Sequence, residues 1–225
     1  MANNQHSPTI EPARILLVDD HPTVREGIAA LIGRQSDLAI CGEAAGVEET
    51  LRLMDEQSPN LVVVDLSLRD GHGLDLTKRI KLLNADMKVL IHSMYDESFY
   101  AERALQAGAS GYVNKHADPQ TLLEAIRDVL KGRVYFTAAV LDRMTGRSSA
   151  GTPKPLGLAI ETLTDRELQV FELIGEGLAS RVIASRLDLS VHTIDTHREK
   201  IKAKLKLKNA AELARHAVQW VLERR

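Results

Sequence analysis

The sequence has one cysteine, few aromatic residues and no long apolar run. Because Cys41 has no second cysteine to pair with, the chain cannot form an internal disulfide, which is typical of proteins in the reducing cytoplasm. No uninterrupted apolar stretch approaches the roughly 20 residues that span a bilayer, so we expect neither a membrane segment nor a membrane partner. The opening residues, MANNQHSPTIEPA, lack an apolar core and a basic cluster, and they predict a disordered polar tail over residues 1–13 rather than a signal peptide.

Charge is unevenly distributed along the 225 residues, although the net charge is only -2. Residues 1–145 hold 15 basic and 21 acidic side chains, whereas residues 146–225 hold 14 and 10. Eight of the basic residues lie within Arg181–Lys208. This split indicates an acidic part and a part that binds a polyanion, with a solvated basic helix face as the alternative. Between the two parts, TGRSSAGTPKPLG is rich in Gly, Ser and Pro and places a linker within residues 132–158.

Before the linker, short apolar runs alternate with segments of helical apolar spacing. The runs, each a predicted strand, are Ile15–Val18, Leu38–Cys41, Leu61–Val64, Val89–Ile91 and Gly111–Val113. The predicted helices are Val24–Ile32, Val47–Met54, Leu74–Leu83, Tyr100–Leu105 and Leu122–Leu130. Five strand–helix repeats predict an α/β domain in which helices cover both faces of a parallel sheet. The doubly wound, flavodoxin-like (βα)5 order is the leading arrangement.

Polar residues follow four of these strands, at the edge of the sheet where α/β proteins bind ligands. They are Asp19, Asp20, Asp65, Ser93 and Lys115. Asp20 alone could simply cap the next helix. Three carboxylates at one edge instead favour a hard divalent cation such as Mg²⁺, and the lysine adds a further positive charge. The sequence therefore predicts a site that prepares Asp65 to receive a phosphoryl group.

The motifs VDDHPTVREG, VVVDLSL, HSMYDE and GASGYVNK resemble the receiver domain of bacterial response regulators of the NarL/FixJ branch. The resemblance implies a receiver over residues 14–131 whose phosphoacceptor is Asp65. It further implies roles for six other residues: Asp19, Asp20 and the Ser67 backbone carbonyl in binding Mg²⁺, Ser93 as the hydroxyl switch, Tyr112 as the aromatic that turns inward, and Lys115 as the phosphate partner.

Two residues depart from the pattern of that family. His92 precedes the switch hydroxyl where an apolar residue is usual, and Met94 follows it where a small one is common. A side chain as large as Met94 would narrow the access to Asp65. Taken without the surrounding motifs, Tyr112 would be interpreted as an ordinary half-buried strand tyrosine.

After the linker, capping patterns and apolar stripes predict a small all-α domain over residues 159–225. Thr164 and Glu167 form a capping-box pattern, and Ser190 is a predicted N-cap for the helix VHTIDTHREKIKAKL. Asn209 and Glu212 begin a last helix in a similar way. Two short helices with a tight turn and a basic second helix are typical of a helix-turn-helix.

These features resemble the LuxR-type DNA-binding domain, with its helix-turn-helix at residues 180–199 and the final helix as the dimerisation element. By that resemblance the helix after Ser190 enters the major groove of double-stranded DNA. The expected DNA contacts are Thr196, Arg198 and Lys202 for base readout and Arg181, Thr193, His197 and Lys204 for the backbone. Asp195 departs from the basic residue common at its position and could accept a hydrogen bond from cytosine. A solubilising surface is the alternative for the lysines.

Together these inferences predict a transcriptional regulator rather than an enzyme. A sensor histidine kinase would phosphorylate Asp65 with Mg²⁺, and the phosphorylated chain would form a homodimer on promoter DNA. The alternative is a Mg²⁺-dependent phosphotransfer enzyme with an aspartyl-phosphate intermediate. A dehalogenase-like phosphatase would have a second acid two residues beyond its nucleophile, where this chain has Ser67.

Overall fold

The computed structural model of the chain describes residues 11–95, 97–144, 160 and 162–222. The chain divides into two compact units, residues 1–147 and residues 148–225. Residues 1–10, which hold most of the predicted tail, and residues 145–159, which hold most of the predicted linker, lie outside the described part. Within that part, no helix combines the length and the apolar character needed to cross a membrane.

The first unit is built from the predicted alternation of strands and helices. Its strands are β1 (Ala13–Val18), β2 (Leu38–Ala44), β3 (Leu61–Val64), β4 (Ser67–Leu68), β5 (Gly71–His72), β6 (Lys88–Ser93) and β7 (Gly111–Asn114). Its helices are α1 (Pro22–Ile32), α2 (Val47–Gln57), α3 (Gly73–Leu83), α4 (Glu97–Gln106), α5 (Pro119–Leu130) and α6 (Ala138–Met144).

Five strands form one parallel sheet in the order β2-β1-β3-β6-β7. This order confirms the doubly wound, flavodoxin-like fold class. Alternate residues of the strands, among them Leu17, Val63 and Leu90, pack in one apolar cluster with residues of α1 and α5. Other strand residues, among them Leu16, Val62 and Ile91, are buried on the opposite face. Because both faces are covered, the strands are almost continuously apolar and chemistry is confined to their ends.

Two features of the first unit were not predicted. Strands β4 and β5 form a short antiparallel hairpin directly after the third sheet strand. Beyond residue 131, Tyr135 makes a parallel bridge to Gly111, and α6 follows it. Residues 132–144 of the predicted linker therefore contain regular structure and belong to the first unit, because their backbone groups hydrogen-bond to the edge of the sheet.

The second unit consists of four helices among its described residues: α7 (Asp165–Gly175), α8 (Ser180–Arg186), α9 (Val191–Leu205) and α10 (Ala210–Leu222). The capping box of Thr164 and Glu167 is present at the start of α7, and the Ser190 hydroxyl accepts a hydrogen bond from the Thr193 amide at 3.0 Å. Phe171 and Trp220 pack in the core with their ring centroids 6.4 Å apart. This arrangement confirms the all-α domain with a helix–turn–helix at α8 and α9.

Candidate functional site

Three predicted residues meet at the carboxyl edge of the parallel sheet. The Lys115 ammonium donates hydrogen bonds to Asp19 Oδ2 at 2.5 Å and to Asp65 Oδ2 at 2.7 Å. All three side chains are buried, with 4–7% of their surface exposed. Asp19 follows β1, Asp65 follows β3 and Lys115 follows β7, so the strand order alone brings the three residues together.

Asp20 and His21 complete an acidic cluster with Asp19 and Asp65. Each of the four residues offers one ligand atom, and these atoms lie within 4.8 Å of one another. Asp65 Oδ1 is buried and has no hydrogen-bond partner among the described residues. Three carboxylates with such an unsatisfied oxygen fit a hard divalent cation. The alternative prediction, that Asp20 caps the helix after it, is wrong. The N-cap of α1 is His21, and the His21 side chain makes no capping hydrogen bond.

The charges in the pocket shift the protonation equilibria of its residues. Burial raises the pKa of Asp65. The positive charge of Lys115 lowers that pKa in part, and the negative charge of Asp19 raises it further. Burial alone would lower the pKa of the Lys115 ammonium, but the Asp65 and Asp19 carboxylates outweigh burial and leave it above its ordinary value. Lys115 is therefore a fixed positive charge in a site that disfavours additional negative charge.

Ser93 ends β6 next to this pocket, and Tyr112 lies in the neighbouring strand β7. The Ser93 side chain is fully buried, and its hydroxyl lies close enough to the Asp65 carboxylate for a weak hydrogen-bonding interaction that lowers the pKa of Asp65. Among the described residues this hydroxyl makes no hydrogen bond of good geometry. The Tyr112 side chain is also buried, and its hydroxyl donates to the Tyr95 carbonyl at 2.7 Å. The Asn114 amide donates to the same carbonyl at 2.9 Å. The segment that follows Ser93 is thus held by two side chains of β7.

The hairpin after Asp65 fixes the start of α3. Ser67 lies in β4 and is half-buried, and the His72 imidazole accepts a hydrogen bond from the Leu74 amide as the N-cap of α3. A Cβ atom on Gly73 would lie 2.1 Å from the Asp65 carbonyl oxygen. Only glycine fits at this position, because the backbone after Asp65 passes directly against α3.

The imidazole of His92 lies beneath the pocket and was assigned no role from the sequence. Its side chain lines the space next to Asp19 and Asp65, and it also lines a cavity of about 370 Å³ that α1 and Lys115 border. Burial, reinforced by the positive charge of Lys115, lowers the pKa of His92 to about 4. The His92 side chain is therefore a neutral imidazole beneath the acidic pocket. Met94, by contrast, is 54% exposed.

A second candidate site lies on the exposed face of α9. Ile194, Ile201 and Leu205 are its buried stripe. Of the predicted DNA contacts, the exposed ones are Arg181, Asp195, Thr196 and Lys204, and the half-buried ones are Thr193, His197, Arg198 and Lys202. The face is therefore accessible to a polyanion, although some of these side chains already bind other residues of the second unit.

Several of these residues have partners within the second unit. Asp195 Oδ1 accepts a hydrogen bond from the Ser180 hydroxyl at 3.1 Å, and Lys202 pairs with Glu199 at 2.8 Å. Burial lowers the pKa of His197, and so does the charge of Arg166. A neutral, half-buried imidazole is poorly suited to binding phosphate.

Lys204 is also engaged inside the unit. Its ammonium lies 2.6 Å from Glu167 Oε2 and donates to the Thr162 carbonyl at 3.2 Å. Glu167 is the acid of the capping box, and its Oε2 also accepts a hydrogen bond from the Thr164 amide at 2.8 Å. The sequence spacing could not reveal this pair, because it joins residues on two different helices.

Both candidate sites lie in regions of the chain that are similar to known proteins. Residues 15–127 match the response regulator receiver domain, and residues 161–217 match the bacterial regulatory proteins of the luxR family. The chain is 34% identical to the transcriptional activator protein ExaE of Pseudomonas putida, over 91% of this chain and 95% of that protein. It is 31% identical to the nitrate/nitrite response regulator protein NarL of Escherichia coli K12, over 96% and 97%.

A crystal structure of a LuxR-family two-component response regulator from Aurantimonas sp. SI85-9A1 is similar to part of this chain, with 41% sequence identity and a TM-score of 0.56. The match covers 60% of this chain and 96% of the chain in that crystal structure. The two regions matched by the family models, residues 15–127 and 161–217, contain the acidic pocket of the first unit and the helix–turn–helix of the second. ExaE and NarL each align with more than nine-tenths of this chain, so the similarity extends over both units. The chain therefore belongs to the NarL/FixJ family of two-component response regulators, transcription regulators in which a receiver domain precedes a LuxR-type DNA-binding domain.

Proposed function

We propose that Asp65 accepts a phosphoryl group from a sensor histidine kinase and that the phosphorylated chain binds promoter DNA as a homodimer. The observation that carries the proposal is the different hydrogen bonding of the two Asp65 carboxylate oxygens. Oδ2 accepts a hydrogen bond from Lys115 at 2.7 Å, whereas the buried Oδ1 has no hydrogen-bond partner of good geometry in the part of the chain that the structure describes. One oxygen is thus fixed and the other is left to react.

In the transfer, Asp65 Oδ1 attacks phosphorus while the bond from phosphorus to the imidazole nitrogen of the kinase breaks and its electron pair returns to that nitrogen. Lys115 and the buried Ser93 hydroxyl can then donate to the phosphoryl oxygens. Asp19, Asp20, Asp65 and the Ser67 carbonyl would hold Mg²⁺. When bound, that ion neutralises charge on the carboxylates and on the phosphoryl oxygens.

Phosphorylation would change the segment after β6. A phosphoryl group adds about 1.5–2 negative charges, which Lys115 and Ser93 are placed to bind. Movement of Ser93 toward the phosphoryl group would pull on the segment that Tyr112 and Asn114 hold through the Tyr95 carbonyl. The receiver surface formed by α4 and β7 would change with it.

The second unit would place α9 in the major groove of double-stranded DNA. Arg181 and Arg198 take part in no ion pair among the described residues, so they are the cations most available to DNA. Thr196 is exposed, and its hydroxyl donates to the His192 carbonyl at 2.9 Å. Thr193, Asp195 and Lys202 lie on the same helix at its partly or fully exposed positions, and Asp195 and Lys202 have partners, Ser180 and Glu199. Lys204 is paired with the buried Glu167, and His197 is half-buried, so these two residues are less available to DNA. A symmetric dimer requires two half-sites about one helical turn apart, or a multiple of that distance.

The test is phosphorylation by a small-molecule phosphoryl donor in the presence of Mg²⁺. Asp65→Asn should abolish the aspartyl phosphate seen by intact-protein mass spectrometry, and the donor should cease to promote dimers and DNA binding. Asp55→Asn, which changes an exposed carboxylate of α2, is the matched control and should behave as the wild type. Undiminished labelling of Asp65→Asn would refute the assignment. Sustained transfer to a small acceptor would favour the phosphotransfer enzyme.

A further inference from the structure

The His21 imidazole lies against the acidic cluster in an unusual way. His21 Nδ1 is 2.7 Å from Asp20 Oδ1 and 3.3 Å from Asp19 Oδ1. Despite the short distance, Asp20 Oδ1 has no hydrogen-bond partner of acceptable geometry within the described ranges of the chain. The imidazole nitrogen and the carboxylate oxygen therefore lie side by side without being aimed at each other.

This spacing is that of ligands to a shared ion. In an octahedral site with bonds of about 2.1 Å, neighbouring ligand atoms are about 3 Å apart. The two distances from His21 Nδ1 lie on either side of that value. A carboxylate oxygen of the buried Asp65 belongs to the same group of ligand atoms. Asp65 Oδ1 has no hydrogen-bond partner among the described residues.

The backbone positions His21 for this role. Its amide donates to Asp19 Oδ1 at 2.8 Å, and it is the N-cap residue of α1. Its imidazole is 64% exposed, so it can adjust to an ion without repacking of the core. His21 therefore lies at the solvent-exposed side of the acidic cluster.

We propose that His21 Nδ1 is a further metal ligand at the acidic pocket, which gives the receiver a preference for divalent transition ions over Mg²⁺. The proposal rests on the metal-binding pocket of the proposed function and deepens it. Carboxylates alone suit Mg²⁺, but an imidazole ligand favours ions such as Mn²⁺, Co²⁺ and Zn²⁺. Receiver phosphorylation would then respond to which ion is available, not only to the kinase.

The experiment compares Mn²⁺ and Mg²⁺ binding to the full chain without a histidine tag. Free Mn²⁺ is measured by electron paramagnetic resonance, and Mg²⁺ affinity is obtained from displacement of Mn²⁺. His21→Asn keeps a good N-cap residue, so α1 remains supported. It should weaken Mn²⁺ about tenfold and Mg²⁺ less than about twofold. His116→Ala, which removes an exposed imidazole next to Lys115, should change neither affinity.

A second readout is independent of affinity. Pulsed resonance of Mn²⁺ bound to the wild type should show coupling to an imidazole nitrogen, and this coupling should be absent in His21→Asn. No nitrogen coupling in the wild type, or equal weakening of both ions, would overturn the proposal while leaving Mg²⁺-dependent labelling of Asp65 intact. If neither ion binds the wild type, the metal site of the proposed function fails as well.

Discussion

The pair formed by Lys204 and Glu167 gives a quantitative test of which basic residues serve the fold and which serve DNA. We consider Lys204→Met, which keeps most of the stem and removes the charge. The variant leaves the Glu167 carboxylate with only 4% of its side chain exposed and without its cation. Lys200→Met is the matched control, because Lys200 is exposed on the same helix and has no ion pair among the described residues.

The magnitude follows from the exposure of the two partners. Exposed ion pairs contribute about 0.2–1 kcal/mol, whereas breaking a fully buried pair costs about 3–5 kcal/mol. Lys204 is 35% exposed and Glu167 is nearly buried, so we expect an intermediate loss of about 2 kcal/mol. For a domain of this size, that loss lowers the midpoint of thermal unfolding by roughly 8–16 °C. Lys200→Met should cost less than about 0.5 kcal/mol.

Trp220 makes the measurement specific to the second unit. It is the only tryptophan of the chain, and it packs against Phe171 in the core of that unit. Its fluorescence during heating of the full chain therefore reports unfolding of the DNA-binding domain. In parallel, the slope of log K for DNA against log salt should be unchanged in Lys204→Met, since an internally paired lysine releases no counterion from DNA.

The effect should depend on pH in a defined direction. Burial raises the pKa of Glu167, but hydrogen bonds from Lys204 and Thr164 outweigh burial and leave the pKa below its ordinary value of 4.5. A depressed pKa contributes stability above the unfolded value and loses it as the pH falls through the folded value. The difference between wild type and Lys204→Met should therefore shrink below about pH 4.5. Equal midpoints for Lys204→Met and Lys200→Met at neutral pH would refute the reasoning.

Two further predictions follow from close contacts. Gly73→Ala should destabilise the first unit by about 3 kcal/mol or more, since a Cβ would lie 2.1 Å from the Asp65 carbonyl. In Gly27→Ala, the new Cβ would meet nothing within 4 Å, because Gly27 lies in the exposed middle of α1. This variant should stabilise the first unit by about 0.5–1 kcal/mol. Calorimetry that finds Gly27→Ala no more stable than Gly73→Ala would contradict this prediction. Asp195→Asn should change the base preferred by selection from random duplexes, because an amide pairs with adenine rather than cytosine. Ser180→Ala should keep the preferred base but reduce discrimination, and an unaltered motif in Asp195→Asn would show that this residue does not read bases.

The sequence predicted the fold and the pocket because both depend on local patterns. Apolar runs that end at Asp19, Asp65 and Lys115 suffice to place those residues at one edge of a parallel sheet. Capping residues such as Ser190 act within one helical turn, so their roles could also be predicted.

Features that depend on contacts between distant segments could not be predicted in this way. The Lys204 side chain pairs with Glu167 because α7 and α9 pack together, and no spacing along the chain encodes that contact. The environment of His92 depends on three neighbouring strands. His21 was visible directly after the two aspartates, but only the distances between side chains showed how it lies against them.

The bridge between Gly111 and Tyr135 has a consequence for the edge of the sheet. Strand β7 is an outer strand, and such strands expose backbone groups that can recruit another chain. Here the Tyr135 carbonyl accepts from the Tyr112 amide and the Tyr135 amide donates to the Ser110 carbonyl, each at 2.9 Å. The polypeptide leaving the receiver thus serves as its own edge protection. A fragment ending at residue 131 would carry an open, aggregation-prone strand that one ending after α6 would not.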